Sequence, residues 1–395
     1  MGELYELPEG WDTKVFNETV ENFDKSRVPI KANERKSIHG TYPYYGSTGI
    51  IDYVDDYIFD GEFLLISEDG ANLVMRTYPI AFIVTGKFWV NNHAHIVNAK
   101  TEITTNRYLE LYFSSIDLKP YITGSAQPKL SQKKLNGINI PLPPLQEQKR
   151  IVAKLDRLFA KIDQAIALHQ QNIDEAEGFM GSVLNEVFGE LEERYVSVLL
   201  SDFASFQNGY AFKSKEFNTE GVGLRVIRIG NVLDLNKNPV YIEEKEEFSK
   251  YLLKENDIVI SMTGTRTKKD YLFVRIVDTH NSYLNQRVGK ITNNEKSNYG
   301  FLYYFLQSDF FRNKVFEYET GAVNQGNISG KDIMKTSIPD VSLAVQQKTV
   351  QYLDQISQKT ERLKQVQQEK MQSLKDLKAS LLDRAFRGEL LASLY

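Results

Sequence analysis

The chain has 395 residues, 42% of them hydrophobic and 25% charged, with no cysteine and a formal net charge of −4. Such a composition suits a globular protein of two or three domains. It excludes disulfides, thiolate metal sites and cysteine nucleophiles, and no run of ~18 apolar residues suits a membrane span. The acidic start Met1-Gly2-Glu3-Leu4-Tyr5-Glu6 lacks a basic-then-apolar leader pattern, so the cytoplasm is the simplest compartment. Net charge is −4 over residues 1–141, −2 over 142–189, −1 over 190–340 and +3 over 341–395. No segment is a polybasic arm, and charge alone points away from nucleic acid.

Residues 1–141 form a first mixed segment, rich in Tyr, Phe, Ile and Val with short stretches broken by Gly, Asn and Asp. In Tyr42-Pro43-Tyr44-Tyr45-Gly46-Ser47-Thr48-Gly49, the residues Tyr44, Tyr45 and Ser47 are candidate nucleic-acid contacts; the alternative is that the tyrosines are core or strand residues. Phe63-Leu64-Leu65-Ile66 and Ala81-Phe82-Ile83-Val84 read as buried strands. Asn91, Asn92 and His93 form a second polar stretch. His93-x-His95 in an apparent strand would place both rings on one side, as a metal pair or as packed or DNA-facing histidines. No further His or Cys lies near enough in sequence to favour the metal. Asn106–Ser115 reads as a short helix, and Gly124-Ser125-Ala126-Gln127-Pro128-Lys129-Leu130-Ser131 as a polar loop offering Gln127 and Lys129.

Residues 142–189 read as a long helix, with Pro141, Pro143 and Pro144 ending the loop before it. Val152, Leu155, Phe159, Ile162, Ile166, His169, Ile173, Ala176, Met180, Val183 and Val187 recur at alternating spacings of three and four, the seam of a coiled coil. Gly178 and Gly181 interrupt it late, at a kink or at a close approach of another backbone.

Residues 190–340 form a second mixed segment, with a strand at Asp257-Ile258-Val259-Ile260 and a short helix at Tyr299–Gln307. Its candidate contacts are Tyr210, Lys213, Ser214 and Lys215 on one loop, Arg228 and Asn231 near Arg225, and Arg266, Lys268 and Lys269 in the most basic run of the chain. Arg and Lys can engage guanine, and Asn and Gln adenine, although the same side chains also anchor phosphates or are simply solvated. The loop Gly321-Ala322-Val323-Asn324-Gln325-Gly326-Asn327-Ile328-Ser329, offering Gln325 and Asn327, occupies the place that residues 124–131 take in the first half. Residues 341–395 carry a second long helix with Leu353, Ile356, Thr360, Leu363, Leu374, Leu377 and Leu381 on its seam. That seam is polar at Gln367 and Lys370, where Val366 and Met371 are the neighbouring apolar residues.

The two long helices repeat at a constant offset of 198: Pro141, Leu145, Gln148, Val152, Leu155, Asp156 and Phe188 correspond to Pro339, Leu343, Gln346, Val350, Leu353, Asp354 and Phe386. Gly189-Glu190-Leu191 recurs as Gly388-Glu389-Leu390, and the tripeptide also occurs at Gly2-Glu3-Leu4. Two matched stripes in one chain favour an intramolecular antiparallel pair over zipping to a second copy. The order mixed, helix, mixed, helix predicts that the helices are duplicated while the globular parts diverge to read two different things. Gly86-Lys87, Gly289-Lys290 and Gly330-Lys331 lack the rest of a phosphate-binding loop, and no methyltransferase, nuclease or glycine-rich cofactor pattern is present.

Several runs carry a family likeness. They are Tyr42-Pro43-Tyr44-Tyr45-Gly46 with Gly49-Ile50-Ile51-Asp52, Gly70-Ala71-Asn72, Asn91-Asn92-His93-Ala94-His95 and Pro141-Leu142-Pro143-Pro144-Leu145-Gln146-Glu147-Gln148. Gly209-Tyr210-Ala211-Phe212-Lys213, Ile227-Arg228-Ile229-Gly230-Asn231 and Phe386-Arg387-Gly388-Glu389-Leu390 complete the set. Through them, essentially the whole chain resembles the specificity subunits of type I restriction–modification systems. The departure is Pro339-Asp340-Val341-Ser342-Leu343, which has lost the double proline.

The resemblance implies an α+β protein with pseudo-two-fold internal duplication: target-recognition domains at 1–141 and 190–340, a central spacer helix at 142–189 and a C-terminal one at 341–395, paired as an antiparallel coiled coil. It implies a non-catalytic subunit that reads a bipartite site on double-stranded DNA and binds two modification (methyltransferase) subunits. Those partners would carry S-adenosylmethionine, and restriction subunits ATP and Mg. From the residues alone, a coiled-coil scaffold that binds proteins without DNA readout is the alternative.

Overall fold

A computed structural model describes residues 7–35, 40–124, 126–277, 282–322 and 324–392. Gly2-Glu3-Leu4 lies outside the described residues, as do Ser125 and Val323 of the two polar loops. The chain divides into two compact units, Met1–His169 with Glu369–Tyr395, and Gln170–Gln368. Each takes one mixed segment and half of each long helix.

In the first unit a four-stranded antiparallel sheet has the order Val20–Asn22, Ala94–Ala99, Phe63–Ser67, Ala81–Val84. The two central strands are almost wholly buried because both faces are covered. Leu64, Ile66 and Val97 face the core that holds the helix Asn106–Ser115. The alternate residues Leu65, Ala94 and Ile96 face Phe59, Phe88 and Val90 of a second sheet. Thr105 caps the helix by accepting from the Tyr108 amide. Tyr108 and Tyr112 then donate to the carbonyls of Pro141 and Asn139 at 2.8 and 2.7 Å, fixing the strand Asn139–Leu142 that leads into the first long helix.

That helix runs from Leu145 to Arg194, three residues later at its start and five at its end than the sequence spacing suggests. It is ~75 Å long at 1.5 Å per residue. It passes unbroken through Gly178 and Gly181, and nothing lies within 4 Å of where a Cβ would stand at either. The close-approach reading of these glycines therefore fails. Its first turn is held by Gln148, a buried amide with every direction satisfied. The Gln148 Nε2 donates to Pro143 O at 3.0 Å and Ile103 O at 2.9 Å, while its Oε1 accepts from the Thr104 hydroxyl at 2.8 Å.

The second unit repeats this construction. Its sheet has the order Ala204–Asn208, Val288–Asn293, Ile258–Ser261, Val274–Ile276. The central register Leu64↔Val97 and Ser67↔Ala94 becomes Ile258↔Ile291 and Ser261↔Val288, each residue 194 further on. Asn298 caps the helix Tyr299–Gln307. The second long helix, Leu343–Phe386, starts without the double proline because Gln346 does what Gln148 does. The Gln346 Nε2 donates to Val341 O at 2.9 Å and Lys296 O at 3.0 Å, and its Oε1 accepts from the Asn298 amide at 2.7 Å. The globular parts are thus duplicated too, not only the helices.

Within each unit the helix halves pair antiparallel. In the first unit Leu155, Phe159 and Ile162 are buried with Leu382, Ala385 and Phe386, and Val152, Ile166, Leu374 and Leu381 pack at the margin. In the second, Ile173 and Ala176 are buried, and Leu353 is buried with Val183 and Leu184 in a cluster against which Ile356 packs; Asn172 donates to Gln367 at 3.4 Å.

Two expected seam residues do not pack: Leu363 and Leu377 are 46% and 47% exposed. The alternation of three and four can be phased either way, and here it selects the next residue each time. Lys364 sits 3.0 Å from Glu177. Lys378 sits 2.8 Å from Asp163 and lies over the Phe159 ring. Both stems cover apolar surface while the ammonium groups stay paired at the rim. No described helix is long and apolar enough to cross a membrane.

Replacing Gln148 with Leu strands two carbonyls and a hydroxyl in the interior. The expected loss is about 2–4 kcal/mol by urea denaturation of the full chain, against less than ~0.5 kcal/mol for Lys149→Ala one residue on.

Candidate nucleic-acid interface

In the first unit the strand Phe63–Ser67 runs out into Glu68-Asp69-Gly70, and three loops gather on this extension. The turn Asn91–His93 is held by the Glu68 amide donating to His93 O at 2.9 Å and the Asn91 amide to Tyr45 O at 3.0 Å. The loop before residue 131 is held by Leu130 N donating to Glu68 O at 2.7 Å and Gly70 N to Pro128 O at 3.0 Å. The hairpin tip is held by the Ser67 hydroxyl donating to Ser47 O at 2.5 Å. Ser47, Asn92, His93, Gln127 and Lys129 are thereby brought to one rim; all but half-buried Ser47 are exposed.

The remaining first-unit candidates have structural roles. Tyr44 is fully buried; its hydroxyl accepts from Ile30 N and its ring lies under Arg35. Tyr45 packs its ring on Phe82 and Phe88, and burial pushes its phenol up. Asn91 is buried and turns its Oδ1 to the His93 amide.

The histidines do not form a pair. His93 lies in the turn, outside the strand, with Nδ1 2.9 Å from Asp69. His95 is buried in the strand, with Nδ1 2.6 Å from Asp24 and Nε2 2.8 Å from Leu130 O. Among the described residues no group of three or more His, Cys, Asp or Glu is placed to hold a metal.

Below the rim lies an ionic network that no sequence motif announces. Arg27 bridges Glu68 at 2.8 Å and Asp24 at 3.5 Å and donates to Ala94 O, and Lys129 reaches Glu68 at 3.2 Å. Burial alone would raise the Asp24 carboxyl, but His95 and the Ile96 amide hold it below the ordinary range. Glu68 is likewise brought down against its burial by Arg27, His95 and Lys129. The only sequence signal was the buried strand carrying His95, because Asp24 and Arg27 come from a segment with no recognisable pattern.

In the second unit, Met262 takes the place of Glu68. Its amide donates to Arg287 O and its carbonyl accepts from Ile328 N, both at 3.1 Å. Thr263–Gly264 then joins the hairpin Thr320–Ala322/Gln325–Asn327 in a three-stranded sheet. The two polar loops therefore seat on equivalent strand extensions. Lys213, Ser214, Lys215, Lys268 and Gln325 are exposed.

Other second-unit candidates are engaged within the fold. Asn231 is buried, accepting from Arg228 N and donating to Lys237 O at 2.8 Å, and Arg228 donates to Asn238 O. Arg266 is tied to Glu319 and Gly321 O, and Asn327 accepts from the Thr263 hydroxyl. Tyr210 packs with Phe212, Phe248 and Tyr251 while keeping one edge in solvent. Lys269 lies over the Phe316 ring. Sequence reasoning missed the turn Asn285-Gln286-Arg287, the counterpart of Asn91-Asn92-His93.

The family described as "Type I restriction modification DNA specificity domain" matches residues 8–177 and again 192–370. The chain belongs to this family. A Haemophilus influenzae protein named as a type I restriction enzyme specificity subunit, S.HindORF215P, is 42% identical over 159 residues, a match spanning 40% of either chain. The type I restriction enzyme MjaVIII specificity subunit of Methanocaldococcus jannaschii is 24% identical over 95% of this chain and 92% of its own. Two solved structures share the fold, each 20% identical. One, described as the structural basis underlying complex assembly and conformational transition of the type I R-M system, has a TM-score of 0.70, covering 98% of this chain and 100% of that one. The HsdS subunit from Thermoanaerobacter tengcongensis has a TM-score of 0.51, covering 98% and 99%.

The rim depends on the ionic network beneath it. Asp24→Ala is expected to cost about 3 kcal/mol at pH 7, because it leaves His95 and Arg27 short of a buried acceptor. Asp24 has a lowered folded pKa, so its contribution is complete above the ordinary carboxylate range and is lost as pH falls through the folded value. Urea melts should show the gap between wild type and variant narrowing below pH ~4.

Proposed function

We propose that this chain chooses the DNA site for a type I restriction–modification complex and leaves the chemistry to other subunits. The observation that carries the reading is the pair of equivalent rims, one in each unit, built on the same strand extension by the same backbone hydrogen bonds. A shared frame bearing different exposed side chains suits two half-sites of different sequence on double-stranded DNA.

In this reading the duplicated long helices set the unread gap between the half-sites and receive two modification subunits. Those subunits bring S-adenosylmethionine and transfer its methyl group to adenine. Restriction subunits, where present, add ATP- and Mg-dependent translocation and cleavage, and the assembly works in the cytoplasm. A net charge of −4 makes the modification subunits the natural source of much of the phosphate grip. Membership of the specificity family disfavours a scaffold without DNA readout.

The test is to map methylated adenines in a host that expresses this chain with its modification subunit. A bipartite motif is expected. Inserting four residues, about one turn or ~6 Å, in each long helix should lengthen the unread gap and leave both half-sites unchanged. Altered half-sites at the old spacing would sink the reading.

A further inference from the structure

The duplicated frame makes an assignment in the second unit that its sequence did not suggest. In the first unit the turn Asn91–His93 joins two strands at the rim. In the second, the Asn285 amide donates to Ile227 O at 3.1 Å, as Asn91 does to Tyr45 O. The neighbouring strand pairs correspond as well, with Tyr45↔Val90 matched by Ile227↔Leu284, both parallel. Val288 N closes the turn on Asn285 O at 2.9 Å, and Met262 N holds Arg287 O. Gln286 and Arg287 therefore stand where Asn92 and His93 stand, and both are exposed.

Arg287 is also set apart from its neighbours. Six arginines lie between residues 195 and 340. Arg225 is spent on Tyr241, Arg228 on Asn238 O and Arg266 on Glu319. Arg275 donates to Val232 O and Leu233 O, and Arg312 to Leu272 O and Lys269 O. The Arg287 guanidinium has no hydrogen bond or ion pair among the described residues, and neither has the Gln286 amide. A planar five-donor fork beside a carboxamide, on a turn whose backbone is pinned at both ends, is preorganised to meet guanine and adenine edges.

We infer that Gln286 and Arg287 are specificity-determining residues of the second unit, reading adjacent base pairs of its half-site, with Asn92 and His93 in the same place in the first unit. This rests on the DNA-reading role proposed above.

Full-length wild-type, R287A, R287K and Q286A proteins, each with the modification subunits, would be used to select from a randomised duplex library at fixed salt. Both Arg287 variants are expected to lose preference at one base pair of one half-site and to bind the wild-type site about tenfold more weakly. Q286A should relax the adjacent position, and the other half-site should not change. Melting temperatures should match wild type, since these exposed side chains make no hydrogen bond or ion pair among the described residues.

R287K separates base from phosphate, because lysine keeps the charge and loses the fork. A uniform loss across all sequences in R287A, restored in R287K, with the salt slope reduced by about one, marks a phosphate anchor and overturns the inference. An R287A protein that selects the wild-type site overturns it too. A wild-type complex that selects no sequence defeats the DNA-reading role itself, an outcome distinct from both.

Discussion

Two buried glutamines fix the construction of the whole chain. Gln148 and Gln346 each place a neutral amide where a long helix meets its globular segment, satisfied on two sides by the loop just before a short helix and on the third by a carbonyl just before the long helix itself. An apolar side chain there would leave the carbonyls of the incoming loop unpaired, and a charged one would meet a desolvation cost that neutral partners offset poorly. The amide is directional, so it fixes rotation and register at the helix start, which hydrophobic contact alone does not. Seam and rim are both built outward from this joint. The second copy of the joint survives the loss of the double proline, so the proline pair is dispensable to the geometry, whereas the glutamine is present in both copies.

The rims show how one frame can carry two readings. Most of the bonds that seat the loops in the first unit, and their counterparts in the second, run between backbone groups, beside side-chain contacts such as Ser67 to Ser47 O, His95 to Leu130 O and Arg266 to Gly321 O. Backbone bonds leave side-chain identity free, so His93 can become Arg287, Lys129 can become Asn327 and Glu68 can become Met262 without moving the loops. What stabilises each rim from below differs accordingly. The first unit uses a charged network around Asp24, Arg27 and His95, whereas the second places an apolar Met262 there and pairs its hairpin at more positions than the Thr123–Lys129 counterpart.

The long helices, both short helices and the strands Phe63–Ser67, Ala81–Val84 and Ile258–Ser261 were legible in the sequence, because each is longer than its local exceptions. The seam's phase was not, since Leu363 and Lys364 satisfy the same spacing and only the ion pair with Glu177 decides between them. The duplication of the globular parts was hidden by drift. Val20↔Ala99 corresponds to Ala204↔Asn293, offsets of 184 and 194, whereas the helices keep 198. A comparison at one offset cannot follow insertions that change it twice. Candidate contacts failed where a polar residue served the fold. Asn91 and Asn231 satisfy turns, and Tyr44 is a core ring with its hydroxyl on a buried amide. Polar type and local spacing are the same in a turn-former and a base reader; only burial separates them.

The negative net charge now has a structural account. At the rims Lys129 is committed to Glu68 and Arg266 to Glu319. In the second unit Lys213, Lys215, Lys237, Lys254 and Arg287 are among the exposed cations without an ion pair among the described residues. Each phosphate neutralised by such a group would add about −0.9 to the salt slope, and six to ten contacts are what drive affinities down by ~10³ or more as salt rises from 50 to 200 mM. Because residues 190–340 carry a net charge of −1, the proposed reading expects the second unit to bind duplexes of any sequence weakly on its own. In that reading its influence lies in the difference between sequences, which base-edge contacts would supply, and not in the grip common to all of them. Separating choice from grip in this way keeps the rim free to change its reading, because no substitution there has to preserve the affinity of the assembly.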